Sequence, residues 1–121
     1  MKKVTITNLS KPEAAAMQAG YCSSFLCRLR GLMFRREMDF ESSLLLVQSR
    51  DSVLDSSIHM MFVWFDLAVV WITDSGEVVD VRLAKAWAPA ILPRKPARYV
   101  LEMPADHLND FQIGDQVSIT V

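Results

Sequence analysis

The chain has 121 residues and a formal net charge of −1, with 51% apolar and 22% charged residues. That suits one folded domain over residues 1–121 and excludes disorder as the main state. It also leaves no global field to recruit nucleic acid or an anionic membrane. No apolar export segment follows Lys2 and Lys3, and the longest apolar run, residues 60–72, is too short for a membrane helix and contains Asp66. A cytoplasmic setting is therefore expected. Cys22 and Cys27 have neither a zinc spacing nor a CxxC spacing, so they are expected to be reduced, structural thiols. No metal and no cofactor is expected.

Residues 4–7 form a first β-rich run, and a turn follows at Ser10, Lys11, Pro12 and Glu13. Residues 14–22 are read as a strand paired with the first. Ser23 and Ser24 stand where a helix N-cap belongs. Phe25, Leu29 and Leu32 then recur at helical spacing, which predicts an amphipathic helix of about three turns with those residues buried. Arg28 and Arg35 flank one side of it and Arg30 the other. Gly31 weakens this helix, so either the helix ends there or another backbone comes close.

Residues 44–47 are apolar on both faces and read as a covered strand. Residues 62–72 read as the central strand, with Val63, Phe65, Leu67, Val69 and Trp71 on one face. Asp74, Ser75 and Gly76 turn into residues 78–83. A three-residue loop pairs Trp71 with Val79, Val69 with Val81 and Leu67 with Leu83, matching the two apolar rows. It also places Gly76 at the left-handed position of a bulge. On the other face Asp66 falls opposite Ala84 and diagonal to Arg82, within reach of an ion pair. Pro89, Pro93 and Pro96 exclude a regular element from the stretch that holds them. Residues 99–103 are a strand, 105–111 a short C-terminal helix, and 117–121 a final strand. The expected fold is mainly β: an antiparallel jelly-roll-like sandwich or half-open barrel with one three-turn helix and one short C-terminal helix.

Three stretches carry a resemblance. They are Ser24-Phe25-Leu26-Cys27-Arg28-Leu29-Arg30-Gly31-Leu32-Met33-Phe34-Arg35, then Ser57-Ile58-His59, then Tyr99-Val100-Leu101-Glu102-Met103-Pro104-Ala105 with Gly114-Asp115 downstream. Together, in this order, they resemble the bacterial and archaeal family called domain of unknown function 192. The resemblance implies a mainly-β, jelly-roll-like fold and no established activity. Where that family's central strand reads basic, apolar, proline, aliphatic, aspartate, this chain has Trp64, Phe65, Asp66, Leu67 and Ala68. The glycine expected after the Pro104–Ala105 pair is Asp106. The substitutions imply that any family site on that strand is lost or changed.

Three residues invite a chemical reading. His59 suggests a general base or metal ligand. Only His107 accompanies it, at no metal-binding spacing, and a histidine bonded to backbone at the start of a strand is preferred. Asp66 is a carboxylate in an apolar strand, for which the pair with Arg82 is the plainer account. Glu102 falls on the strand face opposite Tyr99, Leu101 and Met103 and is expected to be solvated or paired. Asp66, Glu102 and His59 are the alternative catalytic set, acting on a small polar substrate such as a carbohydrate.

The charge pattern points elsewhere. Arg82, Lys85, Arg94, Lys95 and Arg98 form a run without an acid, followed by an acidic segment. The expected function is a non-catalytic binding module for a small anionic or polar ligand, with Trp87, Arg94, Lys95, Arg98 and Arg30 as its surface. Nucleic acid and membrane partners are not expected, and the sequence carries no signal for the oligomeric state.

Overall fold

The structure is a computed structural model that describes residues 2–31, 33 and 43–121. Its elements are β1 (Lys3–Asn8), β2 (Met17–Cys22), α1 (Phe25–Arg30), β3 (Leu44–Ser52), β4 (Leu67–Ile72), β5 (Val78–Ala84), β6 (Ala97–Pro104), a 3₁₀ turn (Ala105–Asp110) and β7 (Val117–Thr120). The strands form one sheet in the order β5-β4-β6-β3-β2-β1-β7, curled into a half-barrel. All neighbours are antiparallel except β2 and β3, which run parallel. The half-barrel, not the sandwich, is the realised alternative. Among the described residues no helix is long and apolar enough to cross a membrane.

Alternation decides what lies where. Leu67, Val69 and Trp71 of β4 join Leu44 and Leu46 of β3 and Val100 of β6 in a core on one face. Ala68, Val70 and Ile72 join Leu45, Val47, Leu101 and Met103 on the other, with Val4 and Ile6 of β1 and Phe111. Every residue of β4 is buried. The sheet therefore has two covered faces at its centre.

The two ends of the strand order meet at one point. Glu77 bridges Gln116. The Val117 N–H donates to the Gly76 carbonyl at 2.8 Å, the Val78 N–H to the Asp115 carbonyl at 2.9 Å and the Gly114 N–H to the Val78 carbonyl at 2.8 Å. Gly76 has φ +92°, and a Cβ there would lie 2.5 Å from the Val117 oxygen. Only glycine fits a left-handed turn pressed against another backbone.

Several expectations are corrected. The helix does not run three turns: it ends at Gly31, whose N–H donates to the Cys27 carbonyl with φ +48°. Ser24 caps it as expected, its Oγ accepting from the Cys27 N–H. Phe25 and Leu29 are not buried but 69% and 51% exposed. Leu32 and Arg35 lie outside the described residues. The central strand begins at Leu67, not at residue 62, because Phe62 takes φ +60° and breaks the extended run.

The hairpin keeps its three-residue loop, with the Gly76 N–H donating to the Thr73 carbonyl. Its register is not the expected one. Trp71 faces Asp80, Val70 faces Val81 and Leu67 faces Ala84, while Ile72 faces Val78. The irregularity between Trp71 and Ile72 shifts the ladder by one residue. Matching apolar rows does not select a register when both faces of β4 are buried. Asp66 consequently pairs with Lys85 at 3.3 Å, and Arg82 with Asp80 at 2.9 Å.

The cysteines are not free thiols. Cys22 and Cys27 form a disulfide, their Cα atoms 5.6 Å apart. The first turn of α1 folds Cys27 back over the end of β2, and that approach brings the two Cα atoms within bonding range.

Candidate functional site

A cavity of about 400 Å³ opens between α1, the end of β3 and the segment after it. Its floor is β6. Glu102 faces Leu44 of β3 on one side and Val69 of β4 on the other. Cross-strand partners share a face, so its side chain projects among the apolar residues beneath α1. The strand is central and covered, which is why the expectation of a solvated or paired carboxylate fails. Glu102 is 4% exposed, and its Oε1 has no hydrogen-bond partner among the described residues. Burial pushes its carboxyl up to about 7, with no donor to offset it. Near neutrality the group is divided between a neutral acid and a carboxylate.

Gly31 stands beside it. A Cβ at Gly31 would lie 3.5 Å from Glu102 Oε1, in ordinary van der Waals contact, so this backbone packs directly beside the carboxyl. Leu46, Ile58 and Val63 give apolar walls, and Gln48, Ser49, Ser57 and Asp55 contribute polar groups.

Arg28, Arg30 and His59 complete the lining. One guanidinium N–H of Arg28 donates to the Val47 carbonyl at 3.1 Å. Neither arginine has an acid within ion-pair distance among the described residues. His59 Nδ1 accepts from the Met61 N–H at 3.3 Å, and Nε2 lies 3.1 Å from the Leu29 carbonyl. With Nδ1 an acceptor, Nε2 carries the proton and donates to Leu29. His59 is thus a tether between the segment before β4 and α1, bonded to backbone as expected. No cluster of three metal-binding side chains exists among the described residues.

Asp66 is not in this cavity. It accepts from the Ala86 N–H at 2.9 Å and from Lys85 at 3.3 Å. The Ala86 bond chiefly, then Lys85, holds its carboxyl below the usual range. Of the alternative catalytic set, Glu102 and His59 come together and Asp66 does not. Among the expected binding residues only Arg30 lines the cavity. Arg94 and Lys95 are exposed, and the Arg94 backbone N–H donates to buried Asp80 at 3.0 Å. Arg98 is engaged by the Gln48 carbonyl and by Asp74 at 2.6 Å, and the Asp74 bond raises its already high pKa. Trp87 packs edge-on against Phe62 and Trp64.

Sequence reasoning missed Arg28 and Gly31 as neighbours of Glu102. The signal was present in the Arg28–Gly31 stretch, where the glycine interrupted a helical pattern.

The sequence profile of domain of unknown function 192, described as Uncharacterized ACR, matches residues 6–119. The chain belongs to this family. A UPF0127 protein of Thermococcus kodakarensis is 32% identical over 117 residues, covering 95% of this chain and 73% of that one. A second, from Pyrococcus furiosus, is 26% identical and covers 91% of this chain and 93% of that one. Two solved structures share the fold at 20% identity. A Sinorhizobium meliloti protein described as a candidate transcription regulator superposes with a TM-score of 0.82, covering 97% of this chain and 92% of that one. A protein of unknown function from Novosphingobium aromaticivorans gives 0.76, covering 96% and 83%. In this DUF192 domain, the motif that carried the resemblance around Arg28 and Gly31 forms one wall of the cavity, and the motif around Glu102 forms its floor.

Proposed function

We propose that this DUF192 domain is a non-catalytic binding module whose seat for a small polar or anionic ligand is the cavity between α1 and β6. One observation carries the reading: Glu102 is buried at the cavity floor with an oxygen that meets no partner among the described residues. Native structures rarely leave such an atom unpaired, and a bound ligand supplies the missing bond. The volume is within the range of small-molecule sites. The Cys22–Cys27 bridge at the start of α1 favours an oxidising compartment over the cytoplasm expected from the N-terminal sequence.

The enzyme reading has its own support. Glu102 titrates near neutrality in the cavity that His59 lines, which suits an acid or base. The basic loop around Arg94 and Lys95 is a rival binding surface, supported by exposure alone.

A thermal-shift screen of sugars, organic acids and nucleotides separates these. It compares wild type, Glu102→Leu, and the triple variant Arg94→Ala, Lys95→Ala, Arg98→Ala. The expected result is a ligand whose stabilisation disappears in Glu102→Leu and persists in the triple variant. The reverse pattern moves the site to the loop, and turnover of the bound ligand by wild type favours the enzyme.

A further inference from the structure

Cavity charge and the orphaned oxygen together restrict the ligand beyond "small and polar". Two guanidiniums, Arg28 and Arg30, line the cavity against one exposed carboxylate, Asp55. Asp55 makes no ion pair among the described residues, and neither do the arginines. His59 has both ring nitrogens engaged by backbone groups. The balance is cationic unless Glu102 ionises. A guanidinium is a planar fork matched to carboxylate and phosphate oxygens, and the Arg30 side chain has no competing bond among the described residues.

The floor asks for something different. Glu102 exists in both protonation states near neutrality. A ligand carboxylate there is bonded only by the neutral acid, and an ammonium forms an ion pair only with the carboxylate. A hydroxyl donates and accepts, so it satisfies Glu102 Oε1 in either state. Leu46, Ile58 and Val63 add apolar lining for the ligand's carbon skeleton.

We propose that the cavity takes a small hydroxylated organic anion, its carboxylate or phosphate facing Arg28 and Arg30 and a hydroxyl seated on Glu102. This rests on the cavity being the binding site. It adds that recognition has two points, one read by charge and one by hydrogen bonding.

The test is calorimetric titration of the full chain with gluconate, a glucose phosphate, glucose and hexanoate. At least one of the two hydroxylated anions is expected to bind about tenfold or more tighter than both glucose and hexanoate, a factor typical of one good polar contact. Whichever anion prevails identifies the oxyanion. Arg30→Ala is expected to bring that anion down to the level of glucose, and Glu102→Leu to the level of hexanoate. Glu102→Gln, whose amide also donates and accepts, is expected to retain binding, which separates a lost contact from a lost fold. If glucose binds as tightly as both anions and Glu102→Leu abolishes all of it, the two-point inference falls and the cavity remains the site. If none of the four binds the folded wild type, the inference falls, and the broader screen alone decides the cavity reading.

Discussion

Glu102 sits between two neighbouring strands and under a helix, where a carboxylate gains nothing from water and, among the described residues, nothing from a donor. Its carboxyl is pushed up to about 7 from an ordinary 4.5. The folded chain therefore holds a proton between those values that the unfolded chain has released. That contribution to stability is complete below about pH 4.5 and is lost as pH rises through 7. The full span is of order 3 kcal/mol. Glu102→Gln removes it, so urea unfolding at pH 5 and pH 8 should show the variant gaining on wild type at the higher pH. An unchanged difference between the two proteins would mean that Glu102 titrates normally. At this scale the sequence was half legible. The side-chain period placed Glu102 on the correct face of its strand. It did not say that the face was covered, because the cover is a helix brought in from residues 25–30.

α1 is where local pattern and tertiary placement part. Its spacing of apolar residues is real, but the helix is only six residues long, far below what holds together in isolation. It is held at its ends instead: by the Ser24 cap, by the Cys22–Cys27 bridge and by the His59 tether to Leu29. Phe25 and Leu29 line a cavity and do not seal a core. Leu29→Ala is expected to cost under about 1 kcal/mol, as for an exposed side chain. Leu101→Ala, fully buried on β6, is expected to cost about 2–5 kcal/mol. Comparable losses in a denaturation series would restore the helix to the core. The β4–β5 hairpin teaches the same lesson. Its turn was legible because Asp74, Ser75 and Gly76 specify local geometry. Its register was not, because an irregularity inside the ladder and a second covered face are properties of the whole sheet.

Across the whole molecule, strand content and the short helical turn after β6 were legible in the pattern of apolar residues, whereas the choice of one curled sheet over a two-sheet sandwich was not. The parallel pairing of β2 with β3 was not, since no local pattern records which distant strand lies alongside. The half-barrel draws its two terminal strands together where Gly76 touches Val117. Gly76→Ala must place a methyl carbon against a carbonyl in a left-handed turn, at a cost of about 1–3 kcal/mol. An unfolding loss well below 1 kcal/mol would show that the contact has room to relax. The seam has a meaning beyond stability. A sheet with two open borders offers each border as a template to another chain. Here the border of β5 is stitched at its start to the approach to β7, which occupies part of each border. Loosening that stitch should favour the recruitment of further copies, edge to edge, as concentration rises.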